Sequence, residues 1–146
     1  MSQVRRFQEY ADAFEKVFEN DDWSVLEPYF SEDAVYETIA GPPFGGKIEG
    51  RKALFAQLKQ NLDGFDRRFD SRELELLEGP AERDGKVWIR WRATYRLAGK
   101  PPLVLEGEET ASFEGDRIRR LEDRFGGDAS AVTGWLEQYG ALLGTA

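Results

Sequence analysis

Lys86-Val87-Trp88-Ile89-Arg90-Trp91-Arg92-Ala93-Thr94-Tyr95-Arg96-Leu97 is the stretch whose reading decides the fold. Successive side chains of a strand point to opposite faces, so Val87, Ile89, Trp91, Ala93 and Tyr95 share one side. Trp88, Arg90, Arg92, Thr94 and Arg96 share the other. The first face is apolar and aromatic and must be covered. In a strongly curved sheet it becomes the wall of a cavity whose opposite wall is helical; a filled core satisfies the same alternation.

Three further strands are predicted around it, at Phe65 to Glu78, Leu103 to Phe113 and Arg117 to Phe125. Gly79-Pro80 with Asp84-Gly85, Gly99-Lys100-Pro101-Pro102 and Glu114-Gly115-Asp116 supply the turns, so a meander of antiparallel neighbours is the economical topology. The first half of the chain has a different period. Phe7, Ala11, Phe14 and Phe18 recur at helical spacing over residues 3 to 19, and Asn20-Asp21-Asp22 caps a short helix carrying Trp23, Leu26 and Tyr29. Asp33 to Ile39 reads as a strand, and Gly41-Pro42-Pro43 with Gly45-Gly46 as a loop. Gly50 opens a helix to about residue 61 on the stripe Leu54, Leu58, Leu62, and a terminal helix over about 128–143 carries Val132, Trp135, Leu136, Tyr139 and Leu143. The whole chain, 1–146, reads as a single α+β domain with a curved mixed or antiparallel sheet and a core over 4–125.

Composition narrows the chemistry. A formal charge of -8 repels a phosphate backbone, so nucleic acid is not an expected partner. Histidine and cysteine are absent, which removes imidazole bases, thiolate nucleophiles and the usual transition-metal ligands, so no cofactor or metal site is expected. Catalysis has to run through carboxylates, hydroxyls, Lys, Arg or water. There is no apolar run of membrane-spanning length, and Met1 to Asp12 lacks the apolar centre of a secretory signal, so a cytoplasmic protein without a membrane partner is expected.

Two acids interrupt apolar strand faces: Glu109 shares parity with Gly107, Ala111 and Phe113, and Asp123 with Leu121 and Phe125. A core-facing acid needs an arginine, hydrogen bonds, a wet pocket or a raised pKa. One reading is an internal ion pair with Arg90, Arg119 or Arg124; the other is a catalytic acid and base in one interior network. Tyr36 and Thr38 share a face of the first strand, and Tyr10 or Phe14 can approach it from the opening helix. With Trp23, Trp91, Tyr95, Phe113 and Phe125 they form the candidate ligand-binding set, although each aromatic also serves as an ordinary core anchor.

The pieces Trp23 to Tyr36, Ile48-Glu49-Gly50-Arg51-Lys52-Ala53-Leu54 and Ile118-Arg119-Arg120-Leu121-Glu122-Asp123-Arg124-Phe125 resemble the nuclear transport factor 2-like superfamily, in particular its SnoaL-like branch. The resemblance covers Val4 to Phe125 and implies a cone-shaped pocket under the helices. It implies an apolar small-molecule ligand, a cyclic or polyketide-like substrate for isomerisation, cyclisation or hydrolysis, with a noncatalytic binding or assembly module as the alternative. Against ketosteroid isomerases, the general base falls on Thr38 and the oxyanion tyrosine on Phe14, while the oxyanion acid falls on Glu109. Against epoxide hydrolases, Asp123 matches the terminal-strand acid, but Arg90-Trp91-Arg92 stands in place of Arg-x-Asp. The resemblance also implies a homodimer through the exposed sheet, with Trp88 at the contact and Arg90, Arg92 and Arg96 at its rim.

Overall fold

The computed structural model describes residues 2–39, 46–126 and 129–143. Along the chain run α1 (Gln3–Asn20), β1 (Phe30–Ile39), β2 (Gly46–Glu49), α2 (Arg51–Gly64), β3 (Ser71–Arg83), β4 (Lys86–Arg96), β5 (Leu103–Glu114), β6 (Arg117–Gly126) and α3 (Ala129–Tyr139). The loop expected at Gly41-Pro42-Pro43 and Gly45, and the expected start of the last helix at 128, lie outside the described residues.

The strands form one open sheet in the order β2-β1-β6-β5-β4-β3. The three hairpins from β3 to β6 are antiparallel, as the turn spacing predicts. β1 joins the far side of β6 in parallel and makes the sheet mixed. This is the α+β cone architecture, with α1 and α2 over the concave face and α3 at one end.

Local chemistry explains the helices. Ser2 Oγ accepts from Arg5 N at the start of α1, and Asp21 ends it in a left-handed conformation with its N–H on Val17 O. Gly50 stands at φ +97°, which suits glycine; its N–H donates to Ala34 O and its carbonyl accepts from Leu54 N, tying α2 to β1. Leu54, Leu58 and Leu62 then turn one buried stripe onto the sheet, roughly 1.5–3 kcal/mol of transfer free energy each.

Two expectations need correction. The strand expected from Phe65 begins only at Ser71, because Asp66–Arg68 form a 3-10 turn. That turn brings Phe65 and Phe69 together at 5.1 Å and sets both 5.0 Å from Tyr95, whereas an extended strand would hold positions four apart roughly 13 Å from each other. The same strand runs past Gly79-Pro80 to Arg83, with register shifts between Leu76 and Ala81. β3 is an edge strand, so a proline without an N–H costs it no ladder bond on the open side. The structure adds β2, four residues paired with β1 where the sequence reads as loop and helix approach.

α3 closes the end of the sheet where Tyr95 and Leu103 lie. Trp135 is buried against Phe69, and its indole N–H donates to Pro101 O at 2.8 Å. Trp88 is also buried, on the outer face, with the Arg83 guanidinium 3.4 Å from its ring centroid. Among the described residues, no helix is long and apolar enough to cross a membrane.

Candidate functional site

Between α1, α2 and the concave face lies a cavity of about 450 Å³, a size typical of small-molecule sites. The β4 face supplies Ile89, Trp91, Ala93 and Tyr95; α1 supplies Phe7, Tyr10 and Phe14 opposite. Trp91 holds its place for a local reason. Gly107 lies directly across the ladder, and a Cβ there would fall 2.6 Å from the Trp91 ring and 2.8 Å from Arg124 O. The missing side chain lets the indole lie over β5 and meet the edge of Phe125, with centroids 5.7 Å apart.

Ile89, Glu109, Asp123 and Thr38 form one row across β4, β5, β6 and β1, and the first three line the cavity floor. Glu109 and Asp123 are directly opposed, an arrangement that disfavours two negative charges. Burial, then the adjacent Asp123 carboxyl, pushes Glu109 well above the usual carboxylate range. Tyr36 donates its phenol proton to Asp123 Oδ2, while Asp123 Oδ1 is buried and accepts no conventional donor among the described residues. Burial raises the phenol pKa of both Tyr10 and Tyr36, and the charges of Glu109 and Asp123 raise them further. Both tyrosines are hydrogen-bond donors at neutral pH. Arg90 and Arg119, named above as possible ion-pair partners, bond instead to Glu78 at 3.1 Å and to Asp33 and Glu114 at 3.0 and 2.9 Å. Among the described residues the hydrogen bond to the acid pair comes from Tyr36, not from an arginine.

Glu109 therefore makes stability depend on pH. Its folded pKa lies above its unfolded one, so its stabilising contribution is complete below about pH 4.5 and is lost as pH rises toward the folded value. Relative to Glu109→Gln, the wild-type protein should lose about 1.4 kcal/mol per pH unit from pH 5 upward. Urea unfolding of both proteins from pH 4.5 to 8.5 checks this. Parallel pH curves would show that Glu109 titrates normally.

The structure brings Tyr10, Phe14, Tyr36, Trp91, Tyr95, Glu109 and Asp123 onto the cavity. It places Trp23, Thr38, Phe113 and Phe125 off it. Trp23 packs between Phe14 and Phe55 and donates to Asp21 Oδ1; Phe113 packs against the core under the helices. Thr38 of β1 stands beside Asp123, and Phe125 packs against Trp91 in a T-shaped pair. On α1 the hydroxyl near the acid pair is Tyr10, one turn before the Phe14 position to which the resemblance assigned it. Sequence reading missed Asp66 and Arg72, which line the cavity; typing residues 65–69 as strand hid the turn that aims Asp66 inward. Among the described residues, no three of His, Cys, Asp and Glu are grouped to hold a metal ion.

A family model described as a SnoaL-like domain matches residues 8–121. Bal32a, from a soil-derived mobile gene cassette, is 22% identical, with a TM-score of 0.64 over 85% of this chain and 92% of its own. A nuclear transport factor 2-like protein from Anabaena variabilis is 16% identical, with a TM-score of 0.68 over 86% and 90%. TerC, co-crystallised with polyporic acid, is 16% identical, with a TM-score of 0.64 over 92% and 98%. No curated protein matches the sequence.

Proposed function

The chain belongs to the SnoaL-like domain family, and from that premise we propose that its cavity binds an apolar cyclic ketone and moves a proton from the carbon beside the carbonyl. The observation that carries this reading is the opposed Glu109–Asp123 pair, with Tyr10 and Tyr36 beside it in an otherwise aromatic cavity. Glu109 and Tyr10 donate hydrogen bonds to the carbonyl oxygen, and Asp123 Oδ1 accepts the α-proton. The C–H electron pair becomes the C=C bond of an enol or enolate whose oxygen those donors stabilise. Returning the proton to another carbon isomerises the substrate, whereas attack of the enol carbon on a second carbonyl of the same chain cyclises it. Asp123 takes the role of base that the resemblance placed at Thr38. Hydrolysis draws less support, because Arg90 and Arg92 are held outside the cavity by Glu78 and Glu106.

The test is α-proton exchange of 1-tetralone, a bicyclic apolar ketone, followed by NMR in D2O. Saturable acceleration over heat-denatured protein is the expected result. Binding without acceleration would leave a noncatalytic ligand-binding module, and no binding would remove the cavity from the function.

Homodimerisation through the outer sheet face belongs to the same proposal. Val104 is exposed there beside Thr94, within a lattice of Arg92–Glu106, Arg90–Glu78 and Arg96–Glu73 pairs. Trp88, expected at that contact, is already covered by Arg83. Light scattering across concentration should show a dimer that weakens with salt; a monomer mass at high concentration would rule it out.

A further inference from the structure

The acid pair is not the cavity's only polar feature. Along β4, Ile89 stands level with Glu109, whereas Tyr95, on the same face, pairs with Arg72 of β3. Six residues separate these levels, roughly 20 Å along the strand, and Trp91 and Ala93 form an apolar belt between them. Long side chains at both ends shorten that span.

Arg72 is an unusual residue to line such a wall. Its side chain is 10% exposed, and its guanidinium lies 4.5 Å from the Phe18 ring centroid. One amino group, Nη1, donates to Glu15 Oε2 at 3.1 Å and Oε1 at 3.4 Å. Nε lies 2.9 Å from Asp66 Oδ2 but out of line for a hydrogen bond, so this buried N–H has no partner among the described residues. Tyr95 donates its phenol proton to the same Asp66 oxygen at 3.3 Å, a long bond. A buried, unspent donor is costly unless something satisfies it.

We propose that Arg72 and Tyr95 form a second polar anchor, and that the ligand is an apolar ring system carrying a neutral oxygen at each end. One oxygen meets the acid pair; the other, a carbonyl or phenol oxygen, accepts from Arg72 Nε. The charge balance selects neutral oxygen over carboxylate. Glu15 and Asp66 already face the guanidinium, and Asp12 stands at the rim, so an anionic group would meet more negative than positive charge. This inference rests on the reading of the cavity as a ligand site.

Fluorescence titrations with 4-hydroxybiphenyl, 4,4′-dihydroxybiphenyl and 4′-hydroxybiphenyl-4-carboxylate, and with the matching terphenyls to cover length, test it. In the wild-type protein the second hydroxyl should tighten binding about tenfold or more in at least one length series, and the carboxylate should bind more weakly than the mono-phenol. Arg72→Gln should abolish the gain from the second hydroxyl and leave the mono-phenol affinity unchanged. Tyr95→Phe should reduce the gain, and it decides alone if Arg72→Gln fails to fold. A merely structural role would weaken both phenols equally. If the mono-phenols bind but a second hydroxyl adds nothing, or its gain survives both variants, the anchor is wrong and the cavity reading stands. If no probe of either length binds, both fall.

Discussion

Asp123→Asn should slow α-proton exchange of bound 1-tetralone by about 100- to 10,000-fold, the range that a positioned general base contributes. In barrier height that is about 2.7–5.5 kcal/mol. The substitution keeps the side chain's size and lets the amide oxygen still accept the Tyr36 phenol proton. What it removes is the basic oxygen, Oδ1, which is buried without a donor among the described residues and is the atom in the proposal that takes the proton. It also removes one of two opposed acids, so Glu109 loses a source of its raised pKa, and thermal stability should hold or rise. Exchange kinetics and melting temperature therefore move apart. An Asp123→Asn protein that exchanges the ketone as fast as the wild type would take Asp123 out of the base role. A protein that loses activity only in proportion to lost folding would make the pair structural.

How much of this was legible in the sequence depended on whether the signal was local. The alternation in β4 assigned Val87, Ile89, Trp91, Ala93 and Tyr95 to the inner face, and the same parity argument put Glu109 and Asp123 inside. Their opposition was not readable, because it depends on the register of β5 and β6, which hairpin length and the shift between Ser112 and Phe113 set together. Phe65 to Phe69 misled for the opposite reason. The two phenylalanines suit a strand, but with Tyr95 they form a three-ring cluster around a turn, and that tertiary contact set the local structure. Gly107 entered the sequence reading only through its parity with Glu109. Its role appears once Trp91 lies across it. Arg72 carries no signal of its own in the sequence, and its burial among Glu15, Asp66 and Phe18 is what separates it from the surface arginines.

Phe30→Ala should be the most damaging single truncation for the fold, at about 3–5 kcal/mol, enough to lower the melting temperature by roughly 10 °C or more. Phe30 is fully buried at the start of β1, level with Ile118 of β6. Its ring meets Tyr10 edge-on at 5.3 Å and Phe55 edge-on at 5.5 Å, so it couples α1 to α2 through the sheet. The hydrogen bonds that Arg51 and Arg117 make to its carbonyl are backbone contacts and survive the change, which confines the loss to packing. The cavity depends on that packing. Tyr10 rests on Phe30, Phe7 and Phe14, and a hole beneath it frees the ring to sink away from Glu109 and Asp123. Phe30→Ala should therefore weaken ketone binding as well as the fold. Phe30→Leu fills most of the hole without the ring edges, so it should regain most of the stability while restoring the affinity less completely. Urea unfolding together with ketone titration at a temperature where all three proteins are folded separates the two effects. A loss below about 1 kcal/mol for the alanine variant would show that the helices do not depend on this ring. Equal recovery of stability and affinity in the leucine variant would show that Tyr10 is positioned by other contacts.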